Sequence, residues 1–264
     1  MKVLFLGDIV GKSGRDIVSS LLNTLVEKYR IDLVIANGEN AAHGKGITKK
    51  IYDQLIDTGV DYITMGNHVF SKREIYDHLE EMDRLVLPSN HVSVTKEDPH
   101  VVFEFNGIRF CLFNLLGTVL MNDLGSDPYQ KTDEILEKTK DEDIDIYFCD
   151  YHGETTAEKR IYAEYYRDIV DVVIGTHTHV QTADEMMLSR TAFITDVGMC
   201  GPYHSVIGRD IEESIRYQVG HEKTRYTVAE GDGILCGAVI TIDEEERGVK
   251  GIERIQIRPK EETC

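Results

Sequence analysis

The chain has 264 residues, 41% of them hydrophobic and 29% charged, enough to bury a substantial core. Its formal net charge of −18 argues against nonspecific nucleic-acid binding, which needs clustered Lys and Arg to neutralise phosphates. A small phosphorylated substrate stays open, because bound divalent cations invert the local charge.

The five cysteines, Cys111, Cys149, Cys200, Cys236 and Cys264, form no CxxC pair. An odd, unpaired set argues for a reducing compartment rather than a disulfide framework. Cys111, Cys149 and Cys236 lie inside apolar runs, as buried small hydrophobes do. No apolar stretch approaches the roughly 18 residues of a membrane span. The run Val3 to Leu6 is too short for a signal peptide. A cytoplasmic protein without membrane partners is expected.

In chain order, Lys2 to Leu6 reads as a strand and Asp16 to Tyr29 as a helix with Ile17, Leu21, Leu22, Leu25 and Val26 on one face. Leu33 to Ala36 is a second strand, Lys49 to Asp57 a helix closed by Gly59, and Tyr62 to Met65 a third strand. Ser71 and Glu74 have capping-box spacing, so a helix to about Met82 is expected. Such alternation implies parallel strands joined by crossover helices. Val101 to Phe105 and Ile108 to Asn114 flank Asn106-Gly107, a hairpin signal.

Gly117 to Asp127 reads as a loop and Thr132 to Thr139 as a weak helix. Ile144 to Cys149 is a strand, Glu154 to Arg167 a helix, Val170 to Ile174 a strand and Ala192 to Thr195 a short strand. A Gly-rich loop spans Gly198 to Gly208. Tyr226 to Ala229, Leu235 to Ile242 and Val249 to Ile257 read as strands, the last two joined by the acidic turn Asp243 to Glu246. One α/β domain spanning the chain, with two packed sheets and helices on the outer faces, fits this order.

Polar clusters close five of the apolar runs: Asp8, Glu39-Asn40, Asn67-His68, Asp150-Tyr151-His152, and Gly175-Thr176-His177-Thr178-His179. In open α/β sheets, sites form beyond the carboxyl ends of the strands. Taken singly, an Asp or Asn after a strand is as readily a cap, and a lone His a packed core residue. Five clusters on successive strand ends point instead to a metal-dependent hydrolase. Mixed carboxylate, amide and imidazole donors suit Mn, Fe or Zn better than Ca or Mg.

These stretches resemble the ordered motifs of the calcineurin-like metallophosphoesterases: Gly7-Asp8-Ile9-Val10, Gly38-Glu39-Asn40, Gly66-Asn67-His68-Val69, His152 and Gly175-Thr176-His177-Thr178-His179. Three departures are informative. Val10 stands where that superfamily has a ligand His, Glu39 where it has a bridging Asp, and Val69 where it has an acid beside the general-acid His. Together with Asn37-Gly38-Glu39-Asn40-Ala41-Ala42-His43-Gly44 and Thr195-Asp196-Val197-Gly198-Met199, they are similar to the bacterial YmdB-like branch over essentially the whole chain.

The resemblance implies a two-sheet β-sandwich flanked by helices and a dinuclear site of Fe or Mn, with Zn also accommodated. It implies Asp8, Glu39, Asn40 and His179 around one ion, and Glu39, Asn67, His152 and His177 around the other, with Glu39 bridging. Asn40 takes the place left by Val10. It further implies self-association and hydrolysis of small phosphodiesters, cyclic nucleotides such as 2′,3′-cyclic AMP foremost. Two cations about 4 Å apart clamp a phosphate and activate water. His68 is then the candidate general acid. His43 is a candidate substrate contact, and equally a turn residue. An alternative from another class is a metal-bound regulator that binds a nucleotide or protein partner with incidental turnover.

A P-loop reading of Gly7 to Ser13 fails, because that motif has four residues between its glycines and Gly7 and Gly11 have three. Lys12, Ser13 and Arg15 are either substrate contacts or, by default, solvated loop residues. The loop Gly198 to Gly208, with Tyr203 and His204, is a candidate to line the pocket. Tyr151, Tyr162, Tyr165 and Tyr166 fit packing better than a base-stacking platform.

Overall fold

A computed structural model describes residues 1–94 and 99–259 of the chain. Cys264 lies outside the described residues. The first part runs β1 (Lys2–Leu6), β2 (Asp8–Ile9), α1 (Gly11–Tyr29), β3 (Leu33–Asn37), α2 (Lys49–Thr58), β4 (Tyr62–Thr64), α3 (Ile75–His78) and β5 (Leu85–Val86). Then come β6 (Val101–Phe105), β7 (Ile108–Leu116), α4 (Pro128–Thr139), β8 (Ile146–His152), α5 (Thr156–Tyr165) and β9 (Val172–Thr176). The last part holds β10 (Met186–Leu188), β11 (Thr191–Ile194), β12 (Met199–Pro202), α6 (Ile211–Gln218), β13 (Gly233–Asp243) and β14 (Gly248–Ile257).

One sheet has the order β2-β12-β13-β1-β3-β4-β5, with β14 also pairing β13; the other has the order β10-β11-β9-β8-β7-β6. β1, β3, β4 and β5 are parallel, as are β7, β8, β9 and β11. Alternation along each strand explains the layering. Val3, Phe5, Leu33 and Ile35 meet Phe110, Leu112, Phe148 and Ile174 between the sheets. Leu4, Leu6, Val34 and Ala36 point the other way, under Val18, Leu22 and Leu25 of α1 and Leu55 of α2. On the far side, Phe113, Leu115 and Cys149 pack under Ile135 of α4 and Tyr162 of α5. Strands buried on both faces need apolar residues throughout, hence the unbroken runs in the sequence.

Where the structure departs from the sequence reading, local chemistry explains it. α4 starts earlier than expected because Asp127 accepts from the Tyr129 and Gln130 amides. α5 starts at Thr156 behind a capping box of Thr155 and Glu158. The expected helix from Ser71 to Met82 does not form as one piece. Ser71 ends a 3-10 turn, Lys72 is extended, and Glu74 caps α3 without a side-chain bond, so the capping box is broken open. Tyr226 to Ala229 is no strand; Val228 makes a single bridge to Arg209. The Gly-rich loop contains β12, and α6 follows it unanticipated. β8 and β9 run on through His152 and Thr176, past the expected ends.

Tyr151, Tyr162 and Tyr166 are buried in the outer core while Tyr165 is exposed, so these tyrosines pack rather than form a platform. Cys111, Cys149, Cys200 and Cys236 are free and buried. Among the described residues no helix is long and apolar enough to cross a membrane.

Candidate metal centre

The five polar clusters converge at one end of the two sheets. Asp8, Glu39, Asn40 and His152 are buried, and Asn67, His68, His177 and His179 are half-buried. Two groups of donor atoms lie within 4.8 Å of one another: Glu39 with His152 and His177, and Asp8 with Glu39 and His179. Glu39 belongs to both. Asn67 Oδ1 is 3.2 Å from His152 Nε2, and Asn40 Oδ1 is 3.1 Å from His179 Nε2, so each amide joins one group. Gly66 is the close approach that permits this: a Cβ there would overlap Glu39 Oε2 and His152 Nε2.

Hydrogen bonds behind the imidazoles fix which nitrogen faces the centre. The Thr176 hydroxyl donates its one proton to Asp150 at 2.6 Å, so it accepts from His152 Nδ1 at 2.9 Å. That leaves a lone pair on His152 Nε2. His179 Nδ1 donates to the Ile207 carbonyl at 2.8 Å, leaving its Nε2 bare. His177 Nε2 lies 3.0 Å from a Glu154 carboxylate oxygen, and its Nδ1 is 3.0 Å from His152 Nε2. The Asn40 amide nitrogen donates to the Gly44 carbonyl at 3.0 Å, which turns its oxygen toward His179. Acceptors therefore face acceptors across the centre, and buried Asp8 Oδ1 has no hydrogen-bond partner. Such a set fits cations, with outer partners orienting the ligands.

Protons fill the gap otherwise. Burial alone would lower the His152 pKa, but the Glu39 carboxylate 3.2 Å away outweighs it and holds it up at about 9. Burial works against ionised Glu39 as well, yet His152 keeps its pKa below the usual carboxylate range. Burial pushes Asp8 up to about 7. Burial, and then the His152 charge, pulls His177 down to about 3.

A second layer of residues holds these groups from behind, and of them Lys159 and Glu154 have no role in the sequence reading. Asp150 of β8 is buried and also accepts from Asn37 Nδ2 at 2.9 Å and Thr64 Oγ1 at 2.5 Å, pinning the ends of β3, β4 and β9 to β8. Lys159 of α5 donates to the Thr176 carbonyl at 2.7 Å and to Asp196 at 2.8 Å. Asp196 also accepts from the Thr178 amide and hydroxyl at 3.0 and 2.7 Å, and from the Gly198 amide at 2.9 Å. His177 and His179 flank Thr178 in left-handed backbone, φ 97 and 66. Glu154 is the further carboxylate at the rim. Asp150 lies in the polar cluster with His152, and Asp196 in the Thr195-to-Met199 stretch just after β11, but neither stretch reveals what the carboxylate binds.

The centre opens into a cleft of about 580 Å³ whose walls include His68, Lys45, Arg209 and Tyr226. The His68 backbone amide donates to Glu39 at 3.2 Å, while its ring, with a pKa lowered by burial, has no hydrogen bond among the described residues. Val69 beside it is fully buried in the core under the first sheet, and Val10 is buried beneath Gly201 and Gly208. His43 is exposed, with φ 56, and does not line the cleft; Gly44 and Lys45 do. Val206 and Ile207 of the Gly198-to-Gly208 loop line it, as does Arg209 just beyond, whereas Tyr203 and His204 do not. Lys12, Ser13 and Arg15 lie in the first turns of α1 rather than in a loop; Lys12 pairs with Asp16, Ser13 donates to the Gly231 carbonyl and Arg15 to the Ala41 carbonyl, and none of the three lines the cleft.

Comparison with known proteins identifies the family and the fold. A family model described as YmdB-like protein matches residues 4–255. A Bacillus subtilis protein named 2′,3′-cyclic-nucleotide 2′-phosphodiesterase is 43% identical over 258 residues, 97% of each chain. The crystal structure of a Mycoplasma pneumoniae protein described as a novel phosphatase superposes with a TM-score of 0.91 at 38% identity, covering 97% of this chain and 93% of that one. A hypothetical protein from Thermus thermophilus gives 0.88 at 35% identity, covering 97% and 99%. The fold is the helix-flanked two-sheet metallophosphoesterase fold, and the chain belongs to the YmdB-like family.

Proposed function

We propose that this chain is a dinuclear phosphodiesterase that hydrolyses small phosphoesters, cyclic nucleotides such as 2′,3′-cyclic AMP foremost. One observation carries the reading: the Glu39 carboxylate is common to both donor groups, so two cations can share it. Asp8, Glu39, Asn40 and His179 would hold one, and Glu39, Asn67, His152 and His177 the other. Fe, Mn and Zn all suit these donors. Bound there, the cations supply Lewis acidity to phosphoryl oxygens and lower the pKa of water. The 43% identical relative's name supports the substrate class.

The chain's own residues do the rest. The amide and imidazole donors are oriented before substrate arrives, which avoids reorganisation during reaction. Hydrolysis adds a water oxygen to phosphorus and breaks the bond to one ester oxygen. His68, its ring unbonded at the cleft wall, gives that departing oxygen its proton. A phosphate anion opposite the ring raises its pKa, against the burial that lowers it.

The test is direct. Purified protein loaded with Mn²⁺ is incubated with 2′,3′-cyclic AMP and the products are separated by chromatography. Nucleoside monophosphate that forms with the parent and not with Glu39→Gln supports the reading. No turnover with any of Mn²⁺, Fe²⁺ or Zn²⁺, or undiminished turnover by the variant, rejects it.

A further inference from the structure

The loop between Asn40 and Ile47 is wound more tightly than a surface connection needs. His43, Gly44 and Gly46 all have positive φ, at 56, 84 and 73. The Gly46 amide donates to the Glu39 carbonyl at 2.5 Å, the Gly44 amide to the Asn40 carbonyl at 3.0 Å and the Ala42 amide to the Gly46 carbonyl at 2.8 Å. Arg15 ties the Ala41 carbonyl from α1. Gly44 lies against the Tyr226 ring, where a Cβ would overlap it, and Gly46 against the His68 carbonyl, which a Cβ would meet at 3.1 Å. The loop is thus locked to the candidate ligands Glu39 and Asn40 at its start and to His68 at its end. What it displays in the cleft is Lys45.

Lys45 is the cleft's uncommitted cation. Its Nζ lies 5.7 Å from the centre of the Tyr226 ring, and among the described residues it makes no hydrogen bond or ion pair. Its charge acts on His68. Arg209, the other cationic residue of the cleft, is already held by Glu213 and Thr224, each at 2.7 Å. An ammonium on a rigid loop in the cleft that opens onto the candidate metal centre is placed to bind an anionic oxygen.

We propose that Lys45 is a phosphate-binding residue of this cleft, donating to a non-bridging phosphoryl oxygen of the bound ester and of its phosphomonoester product. This assignment rests on the phosphodiesterase reading for its role in turnover, but not for anion binding. The product carries more negative charge on those oxygens than the diester, so the contact is stronger once the ester bond breaks.

The test uses Lys45→Met and Lys45→Arg in the metal-loaded full chain, with inorganic phosphate as the probe. Isothermal calorimetry is expected to show phosphate binding weakened about tenfold in Lys45→Met and largely kept in Lys45→Arg, a charged hydrogen bond being lost only in the first. Metal content and melting temperature stay at the parent values, because Lys45 is exposed and unpaired. In turnover of 2′,3′-cyclic AMP, Lys45→Met loses kcat/KM and most of its salt dependence. A parent chain that binds phosphate through Lys45 but turns over no cyclic nucleotide sinks the phosphodiesterase reading and leaves this one standing. Equal phosphate affinity in the parent and Lys45→Met, or no phosphate binding by the loaded parent, overturns it.

Discussion

Lys159 Nζ lies 2.8 Å from Asp196 Oδ2, and both side chains are about 1% exposed, inside the fold behind the His177-Thr178-His179 turn. The pair grips that turn from both sides, Lys159 through the Thr176 carbonyl and Asp196 through the Thr178 amide and hydroxyl. Left-handed backbone at two non-glycine residues costs about 1–3 kcal/mol each and persists only where surroundings impose it. Asp196→Asn leaves Lys159 an unpaired buried cation, an expected loss of about 3–5 kcal/mol. Metal affinity is expected to fall about 10–100-fold with it. Replacing both residues, Lys159→Met with Asp196→Leu, removes the buried charges and recovers part of the stability, the Thr178 and Gly198 amides still lacking their acceptor, while metal affinity stays low. Thermal melts with chelator competition check this; recovery of both together would show the pair to be scaffolding alone.

Gly66→Ala is the sharpest small change available. The new methyl overlaps Glu39 Oε2 and His152 Nε2, atoms of the same donor group. Loss of bound metal with retained secondary structure is expected, read by elemental analysis and circular dichroism. A fully loaded variant contradicts the convergence of these side chains.

His68→Gln separates binding from proton transfer. Metal content is expected to hold, because only the residue's backbone amide touches Glu39. Turnover of cyclic nucleotide should fall about 10²–10⁴-fold, with a smaller loss on a p-nitrophenyl diester, whose leaving group needs no proton. Parallel losses on both substrates would remove His68 from that role.

Protons compete with metal for the same lone pairs. Against its burial, His152 is held at about 9 by Glu39, and Asp8 is pushed up to about 7 by burial. Below those values each carries a proton that a cation must displace. Apparent metal affinity is therefore expected to fall as pH drops from 9 through 7, with proton release on binding. Calorimetry in two buffers of different ionisation enthalpy measures that release; identical heats would mean that no proton leaves.

The candidate ligands were legible because each ends an apolar run, and a parallel sheet carries every such end to one side. Glu39 and His177 lie 138 positions apart, yet β3 and β9 point the same way out of their sheets. Much of the support was not legible. Lys159 sits in Glu158-Lys159-Arg160, a charged helical stretch that looks solvated, and only the packing of α5 over β9 turns it inward. Closeness in sequence to Glu39 marks His43 as a substrate contact or a turn residue, whereas a run of left-handed residues decides that Lys45 and not His43 lines the cleft. The broken helix after Ser71 kept its apolar spacing, with Ile75, Leu79 and Met82 buried or packed on the core, so periodicity alone could not reveal the extended Lys72.

Titrating chelator-stripped protein with Mn²⁺, for the parent and for Glu39→Gln, tests the shared carboxylate most directly. The expected result is two ions per chain, one for each donor group, with magnetic coupling between them in the parent. Both the coupling and the second ion disappear in the variant. A single uncoupled ion in the parent, or two ions still bound without Glu39, would contradict it.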